Sequence, residues 1–134
     1  MTADDMTKES LELQTIRSLA GNRPTRIVQP GEVIFQAGET GDSMYGVVRG
    51  EVRLDWDQQP LHETIQAGSC FGIGALVDTN HCRYGTAIAV TETELLEMNR
   101  EEFLLAVQEL PMFGLEMLHD LDERLRTIKS GLPG

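Results

Sequence analysis

Residues 26 to 99 alternate between short runs of β-forming side chains and glycine turns. Val52, Leu54 and Trp56 would share one face of an extended segment whose other face is charged, which predicts a half-buried antiparallel strand. We expect this strand to form a tight hairpin, across Gly50, with the run before it. The runs assigned to strands are 33–35, 44–48, 51–57, 61–66, 84–90 and 94–98. Short strands at such regular intervals predict a barrel or jelly roll.

Helical periodicity flanks the β-region on both sides. Apolar residues near helical spacing between Leu11 and Leu19 predict an N-terminal helix within residues 1–24. Asn99 and Glu102 form a capping-box pattern, and Pro111 suits the first turn of a further helix. We therefore expect a mainly β fold made as a single domain, with an N-terminal helix (1–24), a β-barrel (25–99) and a C-terminal helical pair (100–134).

The charge of the chain argues against two kinds of partner. Twenty-two acidic residues against eleven basic ones give a net charge of −11. DNA affinity comes largely from Lys and Arg that neutralise phosphates, so an acidic chain predicts no DNA binding. The same repulsion argues against an anionic membrane surface.

Cysteine use and the N-terminus predict a cytoplasmic protein. Cys70 and Cys82 are the two cysteines, and Asp4 and Asp5 stand where an export signal would be basic. The three histidines are scattered and unpaired, so we expect no metal site. No nucleophile and base can be placed together from the sequence, and we expect no catalysis.

One basic residue stands out in the β-region. Between Leu54 and Asn99 the only Lys or Arg is Arg83, and a lone guanidinium in acidic surroundings favours a carboxylate or phosphate partner. Upstream, Gly72, Ile73, Gly74 and Ala75 form a small-residue turn whose N–H groups favour an anion. Arg83, Gly85, Ala87 and Ala89 would share one strand face, which leaves room beside the guanidinium. Spacing alone leaves two interpretations open, a phosphate clamp and a structural salt bridge.

Several elements in one order resemble a known family. They are Pro30-Gly31-Glu32, the turn from Gly38 to Tyr45, Gly50, Gly68, Phe71-Gly72, and Arg83 followed by Thr86-Ala87. Over residues 26 to 128 the chain is similar to the cyclic-nucleotide-binding domains of catabolite-activator-like regulators, kinases and channels. The resemblance implies an eight-stranded jelly-roll barrel with a phosphate-binding cassette at 71–87. It also implies that Arg83 and the backbone from Gly72 to Ala75 hold a cyclic phosphate, with cAMP or cGMP as the ligand and no cofactor required.

The resemblance fails at the sugar end of the implied site. The family pattern has Glu after Phe-Gly to accept a ribose 2′-hydroxyl, and this chain has Ile73. The lost bond would cost a nucleotide roughly 1.5–3 kcal/mol, about ten- to hundredfold in affinity. The residue after the Arg, usually Ser or Thr, is Tyr84.

Two functions therefore remain open. One is a stand-alone regulatory sensor of a cyclic mononucleotide or related phosphorylated ligand, which signals to an unidentified protein partner. The other is a degenerate scaffold for dimerisation or partner binding. The stripe Leu118, Leu121, Leu125 and Ile128 either packs on the barrel or pairs with a second copy. The resemblance favours a homodimer through this C-terminal helix, and it places Met117, Leu121 and Arg124 near a ligand's base.

Overall fold

The computed structural model describes residues 9–56 and 60–131 and places eight strands in two antiparallel sheets. The first sheet has the strand order β1-β8-β3-β6 and the second has the order β2-β7-β4-β5. In chain order the strands are β1 (Arg26–Val28), β2 (Val33–Phe35), β3 (Ser43–Arg49), β4 (Glu51–Trp56), β5 (His62–Gln66), β6 (Cys70–Phe71), β7 (Gly85–Ala89) and β8 (Thr93–Asn99). The fold is thus a mainly β jelly roll with flanking helices, as the sequence predicts.

The two inner sheet faces enclose an apolar core. Its largest side chains are three aromatics, Phe35, Tyr45 and Phe71, whose ring centroids lie 5.5–6.4 Å apart. The alternation predicted for β4 is confirmed at Val52 and Leu54, which are buried on either side of the exposed Arg53, but Trp56 at the end of the strand is 36% exposed. In β7 the same alternation buries Gly85, Ala87 and Ala89. Of these three residues, Gly85 borders a cavity, whereas Ala87 and Ala89 pack in the apolar core.

Four helices complete the fold: α1 (Leu11–Ala20), α2 (Gly74–Val77), α3 (Arg100–Glu109) and α4 (Pro111–Ser130). The capping box predicted for α3 is confirmed, because Asn99 accepts from the Glu102 N–H and Glu102 accepts from the Asn99 N–H. Pro111 occupies the first turn of α4, as predicted. A second apolar cluster holds α1, α3 and α4 on the first sheet through Leu13, Ile16, Met44, Met98, Ala106, Phe113 and Met117. Within the described residues, no helix is long and apolar enough to cross a membrane.

Two sequence expectations differ from the structure. The strands before and after Gly50 do not form a hairpin: β3 pairs with β6 and β8, whereas β4 pairs with β5 and β7. Gly50 has φ 99°, and a Cβ there would lie 2.5 Å from Thr93 Oγ1, so only glycine fits this close crossing between sheets. The described ladders also form two sheets and not one closed barrel.

The remaining differences concern the ends of elements and the burial of the stripe on α4. The strand predicted at 51–57 ends at Trp56, and Asp57 lies outside the described residues, as do residues 1–8 of the predicted N-terminal segment. The stripe on α4 is buried only in part, since Leu118 is 66% exposed and Leu125 is 50% exposed, whereas Leu121 and Ile128 are half-buried. The buried residues of α4 are Phe113 and Met117 instead.

Candidate ligand-binding site

Arg83 is buried in the jelly roll, with a relative exposure of 5%. Its guanidinium carbon lies 4.0 Å from the centroid of the Phe35 ring, as in a cation–π contact. On another side lies Gly41, where a Cβ would come within 2.5 Å of Arg83 Nε. The aromatic ring and the glycine therefore fix where the guanidinium can lie.

The hydrogen bonds of Arg83 go to the backbone. Nη1 donates to the Gly72 carbonyl at 2.7 Å, and Nη2 donates to the Ser43 carbonyl at 2.6 Å. Within the described part of the chain, no Asp or Glu oxygen forms a salt bridge with Arg83. Burial lowers the pKa of Arg83, and more distant Tyr45 and Asp42 oppose this effect. Arg83 is thus a buried cation that carbonyl dipoles hold and no carboxylate neutralises.

The predicted small-residue turn lies directly beside the guanidinium. Gly72 has φ 86°, and a Cβ at this residue would lie 3.0 Å from Arg83 Nη1, so the turn requires glycine. Outside the regular elements, the described residues offer no acceptor to the N–H groups of Ile73, Gly74 and Ala75. These amides are available to an external acceptor.

Two side chains that the sequence did not single out hold this segment in place. His81 has a positive φ of 56°, and its Nδ1 lies 2.9 Å from the Ala75 carbonyl oxygen. Asp78 accepts from the N–H groups of Asn80 and Cys82 and from the Tyr84 hydroxyl. The Cys82 N–H is the main cause that lowers the pKa of Asp78. The chain between α2 and Arg83 is therefore ordered by local polar contacts.

A cavity of about 370 Å³ opens next to Arg83. It is lined by the turn, Arg83 and Tyr84 and by Leu121, Leu125 and Ile128 of α4. Glu63, which also lines it, accepts from Arg124 at 2.8 Å and from the Trp56 indole at 3.0 Å. Arg124 also donates to the Cys70 carbonyl at 3.1 Å. In this ion pair the Glu63 side chain is buried and the Arg124 side chain is mostly buried, and the pair links α4 to β5.

All six residues predicted from the sequence line this single cavity: Gly72, Ile73, Gly74, Ala75, Arg83 and Tyr84. Leu121 and Arg124 also line it, whereas Met117 is buried in the helical cluster and lies away from it. The sequence did not identify three further residues of the site, Phe35, Gly41 and Ser43. Each contacts Arg83 from about 40 or more positions away in the sequence. Only the family resemblance, which includes the turn from Gly38 to Tyr45, marked that region of the sequence.

Comparison with known proteins agrees with this geometry. The family model of the cyclic nucleotide-binding domain matches residues 25–109. The cyclic AMP receptor protein of Thermus thermophilus is 33% identical over 105 residues, which cover 75% of this chain and 48% of the relative. A crystal structure of the Thermus thermophilus catabolite activator protein superposes with a TM-score of 0.69 at 31% identity, over 87% of this chain and 55% of that one.

A third similarity extends along both chains. A solved structure described as "A cyclic-GMP-dependent signalling pathway regulates bacterial phytopathogenesis" has a TM-score of 0.72 and 25% identity, and it covers 95% of each chain. The fold and these matches define a regulatory-type domain of jelly-roll architecture that resembles cyclic-nucleotide-binding domains. The chain belongs to the cyclic nucleotide-binding domain family. It spans about half the length of its relative from Thermus thermophilus.

Proposed function

We propose that this chain is a regulatory, non-catalytic module that senses a cyclic mononucleotide or a related phosphorylated ligand. The observation that carries the proposal is the state of Arg83, which is buried, bordered by the cavity and without a carboxylate partner among the described residues. A buried guanidinium is costly unless an anion compensates it. A phosphate supplies that charge and matches the planar donor set of arginine.

The phosphate would bind between Arg83 and the turn. Two of the five N–H groups of the guanidinium donate to backbone carbonyls, which leaves three for a ligand. The free amides of Ile73, Gly74 and Ala75, in the turn beside the guanidinium, would supply further donors. The role of Tyr84 would be to keep its hydroxyl on Asp78 and hold the loop next to the ligand.

Binding would be transmitted through α4. Leu121, Leu125 and Arg124 border the cavity, so a ligand that contacts them stabilises one position of α4 over another. We propose that an unidentified protein partner in the cytoplasm, and not DNA, responds to that position, because the net charge of −11 opposes contact with nucleic acid. Ligand-dependent hydrogen exchange in residues 100–130 would report the shift, and unchanged exchange there would contradict it.

Calorimetric titration tests the proposed function. cAMP and cGMP are titrated into the wild type, Arg83→Ala and Arg53→Ala. The matched control, Arg53, has an exposed side chain paired with Asp55 away from the cavity. We expect measurable binding by the wild type and the control, and a loss of at least tenfold in Arg83→Ala. If neither nucleotide, nor any phosphorylated probe, gives Arg83-dependent heat at millimolar concentration, the sensor function is wrong.

A second function, a dimerisation or partner-binding scaffold, has its own supporting observation. Leu104, Leu115 and Leu118 on α3 and α4 are all at least half exposed, and apolar side chains grouped on neighbouring helices are typical of interfaces. We propose a homodimer through α4. Sedimentation analysis should show a dimer that Leu118→Glu dissociates and Ile27→Glu on β1 does not. A wild-type monomer at 100 μM would contradict the dimer.

A further inference from the structure

We propose that the cavity selects a ligand with a compact anionic head and an apolar body, and that it discriminates against ligands with a ribose and a purine. The proposal rests on the proposed anion site at Arg83 and names the chemical class of ligand that the rest of the cavity fits. It depends on three features: the apolar side chain of Ile73, the hydrogen bonds that engage the polar side chains around the cavity, and the aliphatic residues that α4 contributes to it.

Ile73 makes the first wall of the cavity apolar. It borders the space next to Arg83 and packs partly against the apolar cluster under the helices. An isoleucine side chain neither donates nor accepts a hydrogen bond, so a sugar hydroxyl placed against it would lose its water partners without compensation. Val77 and Ala75 continue the same apolar wall. An alkyl or aryl group gains free energy at this wall, whereas a ribose does not.

Apart from Arg83, the polar side chains that the cavity argument uses already have protein partners. The Tyr84 hydroxyl donates to Asp78, and the Trp56 indole donates to Glu63. Glu63 is also engaged by Arg124. A purine edge that entered here would compete with these bonds for its own hydrogen-bond partners. These side chains therefore favour a base less than an apolar group.

The side chains that α4 contributes to the cavity are aliphatic apart from Arg124, which is paired with Glu63. Leu121, Leu125 and Ile128 line the cavity, and Leu125 is 50% exposed. A volume of about 370 Å³ lies at the lower end of the range for small-molecule sites. An apolar body between Ile73 and Leu125 would cover both walls while its head stays on Arg83. Such a ligand would place its head on Arg83 and its apolar body on the aliphatic side chains of the lining.

Four probes distinguish the contribution of the anionic head to binding from that of the apolar body. They are octyl phosphate, 1-octanol, inorganic phosphate and cAMP, each titrated calorimetrically below any micellar concentration. We expect octyl phosphate to bind at least tenfold more tightly than each of the other three. Arg83→Ala should weaken octyl phosphate at least tenfold, because the head loses its cation. Thermal unfolding of each variant verifies that it is folded.

A substitution at 73 should change the two ligand classes in opposite directions. Ile73→Glu places a charge in the apolar wall, so it should weaken octyl phosphate at least tenfold and strengthen cAMP. Val90→Glu, at a half-exposed residue outside the cavity, is the matched control and should change neither. Stronger wild-type binding of cAMP than of octyl phosphate would overturn this inference and leave the proposed sensor standing. Absence of Arg83-dependent binding by all four probes would overturn both.

Discussion

Glu12 is a buried carboxyl group that should make the stability of the protein depend on pH. It lies on α1 with 5% exposure, and its Oε2 has no hydrogen-bond partner among the described residues. Burial is the main cause that raises the pKa of Glu12 from 4.5 to about 7, and Asp120 and Glu116 of α4 add to the effect. The Cys70 thiol and Arg124 act in the opposite direction. Folding therefore favours the neutral form of Glu12.

The sign and size of the effect follow from these two pKa values. Below pH 4.5 both states hold the proton, and between pH 4.5 and 7 only the folded protein keeps it. The free energy of unfolding must then fall as the pH rises through this window, and it stays low above it. At about 1.4 kcal/mol per pH unit, the loss amounts to about 3 kcal/mol. Burial also raises the pKa of Asp120, which adds a loss of the same sign.

The test compares Glu12→Gln with the wild type by urea unfolding at pH 5, 6, 7 and 8. Glutamine has nearly the same shape and no charge, so the variant should lack most of the decline and be more stable than the wild type at pH 8, by up to about 3 kcal/mol. Glu109→Gln, at an exposed residue of α3, is the control and should follow the wild type. Parallel pH profiles for the wild type and Glu12→Gln would refute this reasoning.

Three further substitutions test the site and its supports. Gly41→Ala places a Cβ 2.5 Å from Arg83 Nε and must displace the guanidinium; we expect calorimetry to show at least tenfold weaker binding of the phosphorylated ligand, and unchanged affinity would contradict the placement. Asn99→Ala removes the capping box of α3 and should cost about 1 kcal/mol in urea unfolding; a stability equal to the wild type would show that the cap contributes nothing. His81→Ala removes the ring from the carbonyl of α2, so amides 72–77 should exchange faster; equal protection would exclude this support.

The fold could be predicted largely from local patterns. Alternation in β4, the capping box at Asn99 and Pro111 in the first turn of α4 each depend on residues close together in the sequence. The prediction of a hairpin at Gly50 was wrong, because a glycine with positive φ fits both a hairpin and a crossing from one sheet to the other. Strand partners are long-range, and alternation within a strand does not specify them.

The candidate site was also predicted only in part, because some of its residues meet through long-range contacts. Arg83 was identifiable as the lone basic residue of its region, and the turn beside it by its glycines. Phe35 and Gly41 could not be assigned to it, since a cation–π contact and a close approach leave no local pattern. The exposure of Leu118 was not predictable either, because an apolar stripe fits a sheet and a second copy equally well. The division of the chain at residues 24 and 99 stays a prediction.

The most direct measurement is a crystal structure of the protein as it is purified from cells, with attention to the density beside Arg83. We predict density for an anionic group within hydrogen-bond distance of the guanidinium and the amides of residues 73–75, continuing along Ile73 and Leu125. An Arg83 side chain that points into bulk solvent, or that is paired with an Asp or Glu of the same chain, would contradict the account.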